Sequence, residues 1–230
     1  MSEKSLPAIR RDIQRVRPEL VRAASQFQAA ILADVGGRRG ALGGSIAPLS
    51  PRMKLAGPAF TVELRPGDNL MFHAALALAQ PGDVIVVEGK GDRTAALCGT
   101  IMTTQAQASG LAGFVVDAAV RDSDEIIESG FPVFSVGTNP NGPTKGLPGR
   151  VNWPVSLAGV TVNPGDLVVG DADGVVVVPR ENVADVLALA RQKVEAEARR
   201  IAEIKGGKLG APWLADALRA AGVLHDGESL

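Results

Sequence analysis

Hydrophobic residues along the chain fall into short unbroken runs and into longer, partly polar segments. Short apolar runs such as Val84–Glu88 and Gly113–Asp117 are typical of buried strands, and the segment Asp68–Gln80 predicts a helix. Because strand-like and helix-like segments alternate, we expect an α/β layered core with parallel strand pairing. The further elements predicted for this core are one or two helices in residues 7–35, a loop over residues 36–58, strands at Ala59–Leu64 and Phe131–Val136, and helices at Thr100–Ser109 and Ser123–Ser129.

The C-terminal part of the chain has a different pattern. Two strand-like runs, Asp166–Val169 and Gly174–Val178, flank a turn rich in glycine and aspartate, which predicts a hairpin. Residues 181–204 then repeat apolar positions at helical spacing and predict one long amphipathic helix. We therefore expect an α/β core domain over residues 1–180 and a C-terminal helical arm over residues 181–230, which packs on the core or on a neighbouring subunit.

Composition and charge exclude several classes of protein. Hydrophobic residues make up 46% of the chain and charged residues 21%, which is typical of a globular protein and excludes wholesale disorder. A net charge of -1 gives no basic excess for nucleic acid or an anionic membrane, and aromatic residues, at 3%, are too few for base stacking. The N-terminus is polar, and no apolar run approaches the roughly 20 residues of a spanning helix. We expect a cytoplasmic protein that binds neither nucleic acid nor membrane.

The single cysteine and the two histidines do not form a metal site by themselves. Cys98 alone excludes a disulfide within the chain and an all-cysteine metal site. It is a candidate nucleophile beside His73, but we favour a small buried thiol. His73 lies in a predicted helix that is apolar on nearly every side, which favours a core histidine with its hydrogen bonds satisfied.

A glycine turn that opens into a helix, Gly99-Thr100-Ile101-Met102, is the first candidate for ligand binding. The first N–H groups of a helix have no partner inside the helix and together carry about half a positive charge, which suits a carboxylate or a phosphate. The alternative is an ordinary glycine-initiated helix, and the turn taken alone favours that alternative.

A second candidate is the pair Arg121-Asp122, which follows an apolar strand that ends at Asp117. In layered α/β sheets, ligands bind outside the carboxyl ends of the strands. The planar fork of Arg121 suits a carboxylate or an enolate oxygen, and Asp122 offers an oxygen ligand for Mg²⁺ or Mn²⁺. The structural alternative, which the pattern does not exclude, is that Asp122 caps the helix at 123–129 while Arg121 pairs with Asp117.

Glu197 is the third candidate, because it lies among the apolar positions of the predicted helix 181–204. At about 100° per residue it falls between Val186 and Ala190 on the apolar face, whereas Glu195 falls outside that face. A carboxylate on a buried face is costly unless it is paired or close to a metal. The alternative is a residue at the edge of the face, with its stem packed and its head in water.

Several turn motifs of the chain occur in a specific order and spacing. They are Gly67-Asp68-Asn69, Pro81-Gly82-Asp83-Val84, Gly113-Phe114-Val115-Val116-Asp117 with Arg121-Asp122, Asn163-Pro164-Gly165-Asp166 and Gly170-Asp171-Ala172-Asp173-Gly174-Val175. With these motifs the chain resembles the RraA-like family over roughly residues 20–210. That family includes the regulator of ribonuclease activity A and class II pyruvate aldolases that cleave 4-hydroxy-4-methyl-2-oxoglutarate and 4-carboxy-4-hydroxy-2-oxoadipate. The resemblance implies a layered, swivelling β/β/α-type fold, assembled as a homotrimer or homohexamer with sites between subunits.

For the site, the resemblance implies metal-dependent cleavage of a 4-hydroxy-2-oxo diacid to pyruvate through an enolate. The backbone N–H groups of Gly99–Met102 would hold the pyruvyl carboxylate. Arg121 would bind the keto oxygen and stabilise the enolate, while Asp122 would ligate Mg²⁺ or Mn²⁺. Glu197 corresponds to a glutamate that the aldolases contribute from a neighbouring subunit. Oxaloacetate decarboxylation, which passes through the same enolate, is expected as well.

Thr100 departs from the family pattern, because aldolases of this branch often carry an acidic residue directly after the glycine of the anion turn. A hydroxyl hydrogen-bonds to water but cannot act as a carboxylate base. Either Glu197 carries more of the proton transfer, or the substrate differs. The alternative function is a non-catalytic RraA-like regulator that binds and inhibits a ribonuclease or another protein partner.

Overall fold

The short apolar runs form the central strands of a sheet, and the partly polar segments between them form helices. The structure, a computed structural model, describes residues 8–225 and 228–229, and none of the helices in these residues is long and apolar enough to span a membrane. The strands are β1 (Ala47–Pro48), β2 (Leu55–Glu63), β3 (Val84–Ala96), β4 (Gly113–Val120), β5 (Val133–Thr138), β6 (Arg150–Val151), β7 (Val155–Leu157), β8 (Val160–Val162), β9 (Leu167–Asp171) and β10 (Gly174–Val178). The helices are α1 (Pro18–Ala24), α2 (Ala29–Val35), α3 (Leu70–Leu78), α4 (Thr100–Ala108), α5 (Ser123–Ser129), α6 (Val183–Lys205) and α7 (Leu214–Ala220).

Four parallel strands, β2, β3, β4 and β5, form the centre of the sheet. Helices α3, α4 and α5 connect them in turn, as parallel neighbours require. Antiparallel strands extend this centre on both sides, because β1 pairs with β5, β9 pairs with the first half of β2, and β10 pairs with β9. The strand order is β1-β5-β4-β3-β2-β9-β10, with β6 paired to β2. The predicted α/β core with parallel pairing is confirmed, and the predicted hairpin is β9–β10.

Buried side chains form two clusters in the core. The larger one joins the parallel strands to helices α3, α4 and α5, and it contains the fully buried rings of Phe72 and Phe114, whose centroids are 4.9 Å apart. The smaller one joins α1, α2, β9 and β10 to the first turns of α6, through Val183, Leu187 and Ala190. The start of α6 is therefore part of the core rather than of a separate arm.

The chain separates into two compact units, Met1–Ala190 and Arg191–Leu230. The first contains the whole sheet and the start of α6. In the second, α6 continues to Lys205, and Arg200 fastens the following turn by donating to the carbonyl oxygen of Gly210 at 2.6 Å. The apolar side chains of α6 in this unit are exposed: Val194 by 42%, Ile201 by 51% and Ile204 by 42%.

Three predicted strand ends differ from the structure by three residues or more. Strand β2 begins at Leu55, inside the segment expected to be a loop, because its first residues pair with β9. Strand β3 continues past Glu88 to Ala96 through two shifts of register against β4. Strand β4 runs on from Asp117 to Val120 and is buried along its whole length. Pairing with strands distant in sequence decides where these strands begin or end, and local apolar runs carry no information about that pairing.

Two Pro-Gly-Asp turns each end in a buried aspartate. In Pro81-Gly82-Asp83 the carboxylate of Asp83 accepts the N–H of Gln80 at 2.8 Å, and in Pro164-Gly165-Asp166 that of Asp166 accepts the N–H of Asn163 at 2.9 Å. The two glycines have φ of 88° and 86°, a conformation that favours glycine. Asp83 also forms a two-point ion pair with Arg15, with both N···O distances 2.8 Å. This pair fastens the N-terminal segment to the turn before β3.

The Arg15–Asp83 pair is expected to stabilise the fold more than an exposed ion pair does. The side chain of Asp83 is 0% exposed and that of Arg15 is 21% exposed, so loss of one partner leaves the other poorly solvated. We expect Asp83→Asn to lower the free energy of unfolding by about 3 kcal/mol, measured by urea denaturation at fixed protein concentration. The control is Arg17→Ala, which breaks the exposed pair with Glu19 and should cost less than about 1 kcal/mol. Equal losses in the two variants would contradict this expectation.

Candidate active site

A cavity of about 250 Å³ lies at the carboxyl ends of the four parallel strands. Because these ends meet at one edge of the sheet, segments far apart in sequence share the cavity. Each strand supplies part of the wall through the segment that follows it: Asn69 and His73 after β2, Leu97, Cys98, Gly99, Ile101 and Met102 after β3, Arg121 and Asp122 after β4, and Pro143 and Lys145 after β5.

The pair Arg121-Asp122 follows β4 in a sharp turn. Asp122 has a left-handed conformation, with φ 57° and ψ 42°, and the N–H of Arg121 donates to the carbonyl oxygen of Cys98 at 2.9 Å. The side chain of Asp122 does not cap α5; its Oδ2 accepts the N–H of Thr100, at the start of α4, at 3.0 Å. The Nε of Arg121 lies 3.7 Å from the same oxygen. In the described part of the chain, neither the cap on α5 nor an ion pair between Arg121 and Asp117 is formed.

The first turn of α4 keeps open N–H donors next to this carboxylate. The N–H of Thr100 is held by Asp122, and that of Met102 donates to the carbonyl oxygen of Gly99 at 3.0 Å. The N–H groups of Gly99 and Ile101 have no hydrogen-bond partner within residues 8–225 and 228–229. Gly99 is required by close packing, because an added Cβ would overlap Oδ2 of Asp122. Two of the four predicted anion-binding donors are thus open.

Two polar residues to which the sequence pattern assigned no function, Asn69 and His73, also line the cavity. Asn69 is 3% exposed and its Nδ2 donates to the carbonyl oxygen of Leu97 at 2.8 Å, while its Oδ1 is buried without a partner among the described residues. The Nε2 of His73 is likewise buried without a partner in residues 8–225 and 228–229, so the prediction of a core histidine with satisfied hydrogen bonds is wrong. Burial, and to a smaller extent the charge of Lys145, lowers the pKa of His73, which favours the neutral ring.

Lys145 reaches the cavity from the loop after β5. Its side chain is exposed, and within the described residues it forms no ion pair. The sequence carries no local signal for this lysine, because the stretch around it shows only the proline, glycine and asparagine residues of a loop.

Cys98 lines the cavity as a buried thiol. It is 3% exposed, and burial together with the charge of Asp122 raises its pKa to about 12. A thiol with that pKa supplies almost no thiolate at neutral pH. The prediction of a small buried thiol is confirmed, and the structure gives no support to Cys98 as a nucleophile.

Asp122 is the carboxylate of the cavity that fits a divalent cation. Its Oδ2 is held by the N–H of Thr100, while its Oδ1 has no hydrogen-bond partner among the residues the structure describes. Those residues contain no cluster of three or more His, Cys, Asp or Glu side chains that would hold a metal alone. Mg²⁺ needs no such cluster, since it binds through one or two carboxylates together with water and substrate oxygens. A single carboxylate beside a chelating 2-oxo acid therefore suits it.

Glu197 belongs to the second unit, whereas the residues that line the cavity belong to the first. On α6 its side chain is 48% exposed, and its carboxylate lies 3.0 Å from Nζ of Lys193, one turn earlier. Within the single chain, this exposure agrees with a residue at the edge of the apolar face whose head is in water. Its contribution to the site of a neighbouring subunit stays a prediction.

The chain is similar to several known proteins. A relative from Halalkalibacterium halodurans, named "Putative 4-hydroxy-4-methyl-2-oxoglutarate aldolase", is 44% identical over 156 residues, which cover 67% of this chain and 74% of the relative. RraAS2 from Streptomyces coelicolor, whose structure is described as an unusual member of the RNase ES inhibitor RraA protein family, is 32% identical with a TM-score of 0.73, over 82% of this chain and 99% of its own. The RNA-processing inhibitor RraA from Thermus thermophilis is 29% identical with a TM-score of 0.62, over 66% of this chain and 93% of its own.

The family relationship covers the cavity as well as the sheet. The family model described as RraA-like, Aldolase/RraA, matches residues 19–177, a range that contains β1 to β9 and every residue that lines the cavity. Fold, sequence and the order of the turn motifs therefore agree. The chain belongs to the RraA-like family.

Proposed function

We propose that this chain is a divalent-metal-dependent lyase that cleaves a 4-hydroxy-2-oxo diacid, of the 4-hydroxy-4-methyl-2-oxoglutarate type, to pyruvate. Decarboxylation of oxaloacetate, through the same enolate, is proposed as a second reaction of the site. The observation that carries the proposal is the meeting of three groups in one cavity: open N–H donors, the guanidinium of Arg121 and the carboxylate of Asp122. The name of the Halalkalibacterium relative supports the same substrate class.

The start of α4 suits the carboxylate of a 2-oxo acid. Gly99 and Ile101 each offer an open backbone N–H, and the positive end of the helix dipole strengthens their attraction for an anion. These donors are fixed by the helix, so they need no rearrangement when the substrate binds. We therefore assign the pyruvyl carboxylate to this turn.

We assign to Arg121 the stabilisation of the charge that develops during cleavage. When the bond between C3 and C4 of the substrate breaks, its electron pair moves toward the 2-oxo group, and the C2 oxygen becomes an enolate oxygen. The backbone N–H of Arg121 donates to the carbonyl oxygen of Cys98 at 2.9 Å, and its Nε lies 3.7 Å from Asp122, so the guanidinium lies beside the carboxylate that would hold the cation. A preorganised donor to a developing oxyanion is typically worth about 10²- to 10³-fold in rate.

Asp122 is the residue that would hold Mg²⁺ or Mn²⁺. When bound, the cation supplies a Lewis acid that polarises the 2-oxo group. The hydrogen bond from Thr100 orients the carboxylate through Oδ2 and leaves Oδ1 for a ligand.

The reaction also needs a group that accepts the proton of the 4-hydroxyl and returns one to C3 of the enolate. Thr100 offers only a hydroxyl, whose Oγ1 is buried without a partner. We assign the proton transfer to Glu197 of a neighbouring subunit in a homotrimer or homohexamer. The carboxylate takes the hydroxyl proton as C3–C4 breaks and then returns it to C3, so one substrate gives pyruvate and a second carbonyl compound without net oxidation.

The second candidate function is that of a non-catalytic regulator that binds a ribonuclease. It is favoured by the descriptions of two structural neighbours: RraAS2 of Streptomyces coelicolor is an unusual member of the RNase ES inhibitor RraA protein family, and RraA of Thermus thermophilis is an RNA-processing inhibitor. The two functions differ in one measurable property. A regulator without chemistry releases no pyruvate from oxaloacetate or from a 4-hydroxy-2-oxo diacid above the spontaneous rate.

Pyruvate release is expected to require a divalent cation. Treatment with a chelator, followed by its removal, should abolish turnover of 4-hydroxy-4-methyl-2-oxoglutarate in an assay coupled to lactate dehydrogenase, and Mg²⁺ or Mn²⁺ should restore it. The alternative mechanism forms a Schiff base on a lysine, which needs a neutral amine. Burial favours the neutral amine, whereas the side chain of Lys145 is exposed. Full activity without metal, or an adduct trapped by borohydride on Lys90 or Lys145, would show that the metal mechanism is wrong.

Arg121→Lys is expected to reduce turnover by about 10²-fold or more, because the variant keeps the charge but loses the planar fork of donors. The measurement is kcat for pyruvate release, with thermal unfolding as the check that the fold persists. The matched control is Arg52→Lys at an exposed position, which should retain wild-type turnover. Near-normal kcat for Arg121→Lys would return Arg121 to a structural role.

The shared site predicts complementation between two inactive variants. Arg121→Ala has an intact Glu197, and Glu197→Ala has an intact Arg121. After subunit exchange, mixed oligomers should contain some sites with both residues, and pyruvate release should rise above that of either parent. Exchange is verified with two affinity tags. If tagged oligomers are mixed and activity remains at the parental level, Glu197 does not act across a subunit boundary.

A further inference from the structure

Three polar side chains of the cavity have no task in the proposed reaction: Asn69, His73 and Lys145. Two of them carry buried polar atoms that have no partner in the part of the chain that the structure describes: Oδ1 of Asn69 and Nε2 of His73. Asn69 as a whole is 3% exposed. A buried polar atom without a hydrogen bond costs free energy, and a bound ligand with matching groups removes that cost. This part of the cavity therefore has hydrogen-bonding capacity that the described residues do not use.

Lys145 supplies a positive charge to the same part of the cavity. Its side chain is exposed, and no carboxylate among the described residues forms an ion pair with it. Its charge reaches His73, because it adds to the effect of burial in lowering the pKa of that ring. The ammonium of Lys145, without a counter-charge, and the neutral imidazole of His73 together suit a carboxylate. Such a carboxylate would pair with the ammonium and accept an N–H from the imidazole.

The loop that carries Lys145 is fastened by the buried carboxylate of Asp68, which is 1% exposed. Its Oδ2 accepts the hydroxyl of Thr144 at 2.7 Å and the N–H groups of Gly146 and Leu147 at 2.7 and 3.1 Å. Its Oδ1 accepts an N–H at the start of α3 at 2.9 Å. Burial acts to raise the pKa of Asp68, but these hydrogen bonds outweigh it and lower the pKa to about 2, so the carboxylate stays charged. Residues on both sides of Lys145 are thus held by one side chain.

We infer that Lys145 and His73 form a second subsite, which binds the carboxylate at the far end of the diacid, and that Asp68 positions Lys145 for this contact. The inference rests on the proposed function, since it concerns the part of the substrate remote from the pyruvyl carboxylate. The ammonium of Lys145 pairs with the distal carboxylate, and His73, with its proton on Nε2, donates to it. Asp68 touches no substrate and acts through the loop.

The test compares two substrates that differ only at the far end. In 4-hydroxy-2-oxoglutarate that end is a carboxylate, and in 4-hydroxy-2-oxopentanoate it is a methyl group. Both release pyruvate, so one coupled assay measures kcat and KM for each. For Lys145→Met we expect the ratio of kcat/KM, diacid over monoacid, to fall roughly 10- to 100-fold, as for loss of a charged hydrogen bond, mainly through KM of the diacid. Lys145→Arg should recover part of the ratio, and the exposed control Lys54→Met should leave it unchanged.

Asp68→Asn tests the positioning role. It should lower the same ratio, and the double variant Asp68→Asn/Lys145→Met should be no lower than Lys145→Met alone, because both changes remove one contact. Thr144→Val deletes only the hydroxyl that donates to Asp68 at 2.7 Å, and it serves as the milder variant if Asp68→Asn does not fold.

Each outcome has a distinct meaning. Equal losses for the diacid and the monoacid in Lys145→Met would overturn the subsite and leave the proposed lyase intact. An additive effect in the double variant would overturn the positioning role of Asp68. A wild-type protein that cleaves neither substrate and does not decarboxylate oxaloacetate would overturn the proposed function, and the subsite with it.

Discussion

The candidate site depends on the close contact between the backbone of Gly99 and the carboxylate of Asp122. Any side chain at position 99 would overlap Oδ2 of Asp122, so glycine is what lets the start of α4 approach the turn after β4. That approach allows the N–H of Thr100 to bind the carboxylate at 3.0 Å, and it leaves the open donors of α4 in the same cavity as Arg121. The turn at Gly99, the carboxylate of Asp122 and the guanidinium of Arg121 are therefore neighbours in one cavity.

The parallel sheet brings further segments next to this local contact, and together they form the cavity. Pairing among β2, β3, β4 and β5 brings four carboxyl ends to one edge, and each strand is followed by residues of the wall. Strand β2 has a further task, because its first half pairs with β9 and connects the parallel centre to the second hydrophobic cluster. Both clusters thus support β2, the strand after which Asn69 follows in the chain.

Sequence patterns predict the separate segments of the site, but they do not predict which of these segments lie together in one cavity. Arg121-Asp122 and the turn at Gly99 are short motifs that follow apolar runs, so their position at strand ends was readable. The prediction that His73 is a core histidine with satisfied hydrogen bonds is wrong, because apolar neighbours are typical of a core helix and equally of a cavity wall. Lys145 carried no signal, since its place depends on hydrogen bonds between its loop and Asp68, far earlier in the chain. Long-range contacts of this kind, like the register shifts that extend β3, have no counterpart in local periodicity.

Four aspartates of the turn motifs differ from Asp122 in how their carboxylates are hydrogen-bonded. Asp68, Asp83, Asp166 and Asp171 each have both oxygens engaged by donors of the protein. Asp122 has only one oxygen engaged within the described residues. A carboxylate with both oxygens engaged holds a turn or a loop, and a cation would have to displace those donors at a cost in stability. Asp122 is oriented by one donor and keeps one oxygen for coordination, which is the combination that a site with few protein ligands requires.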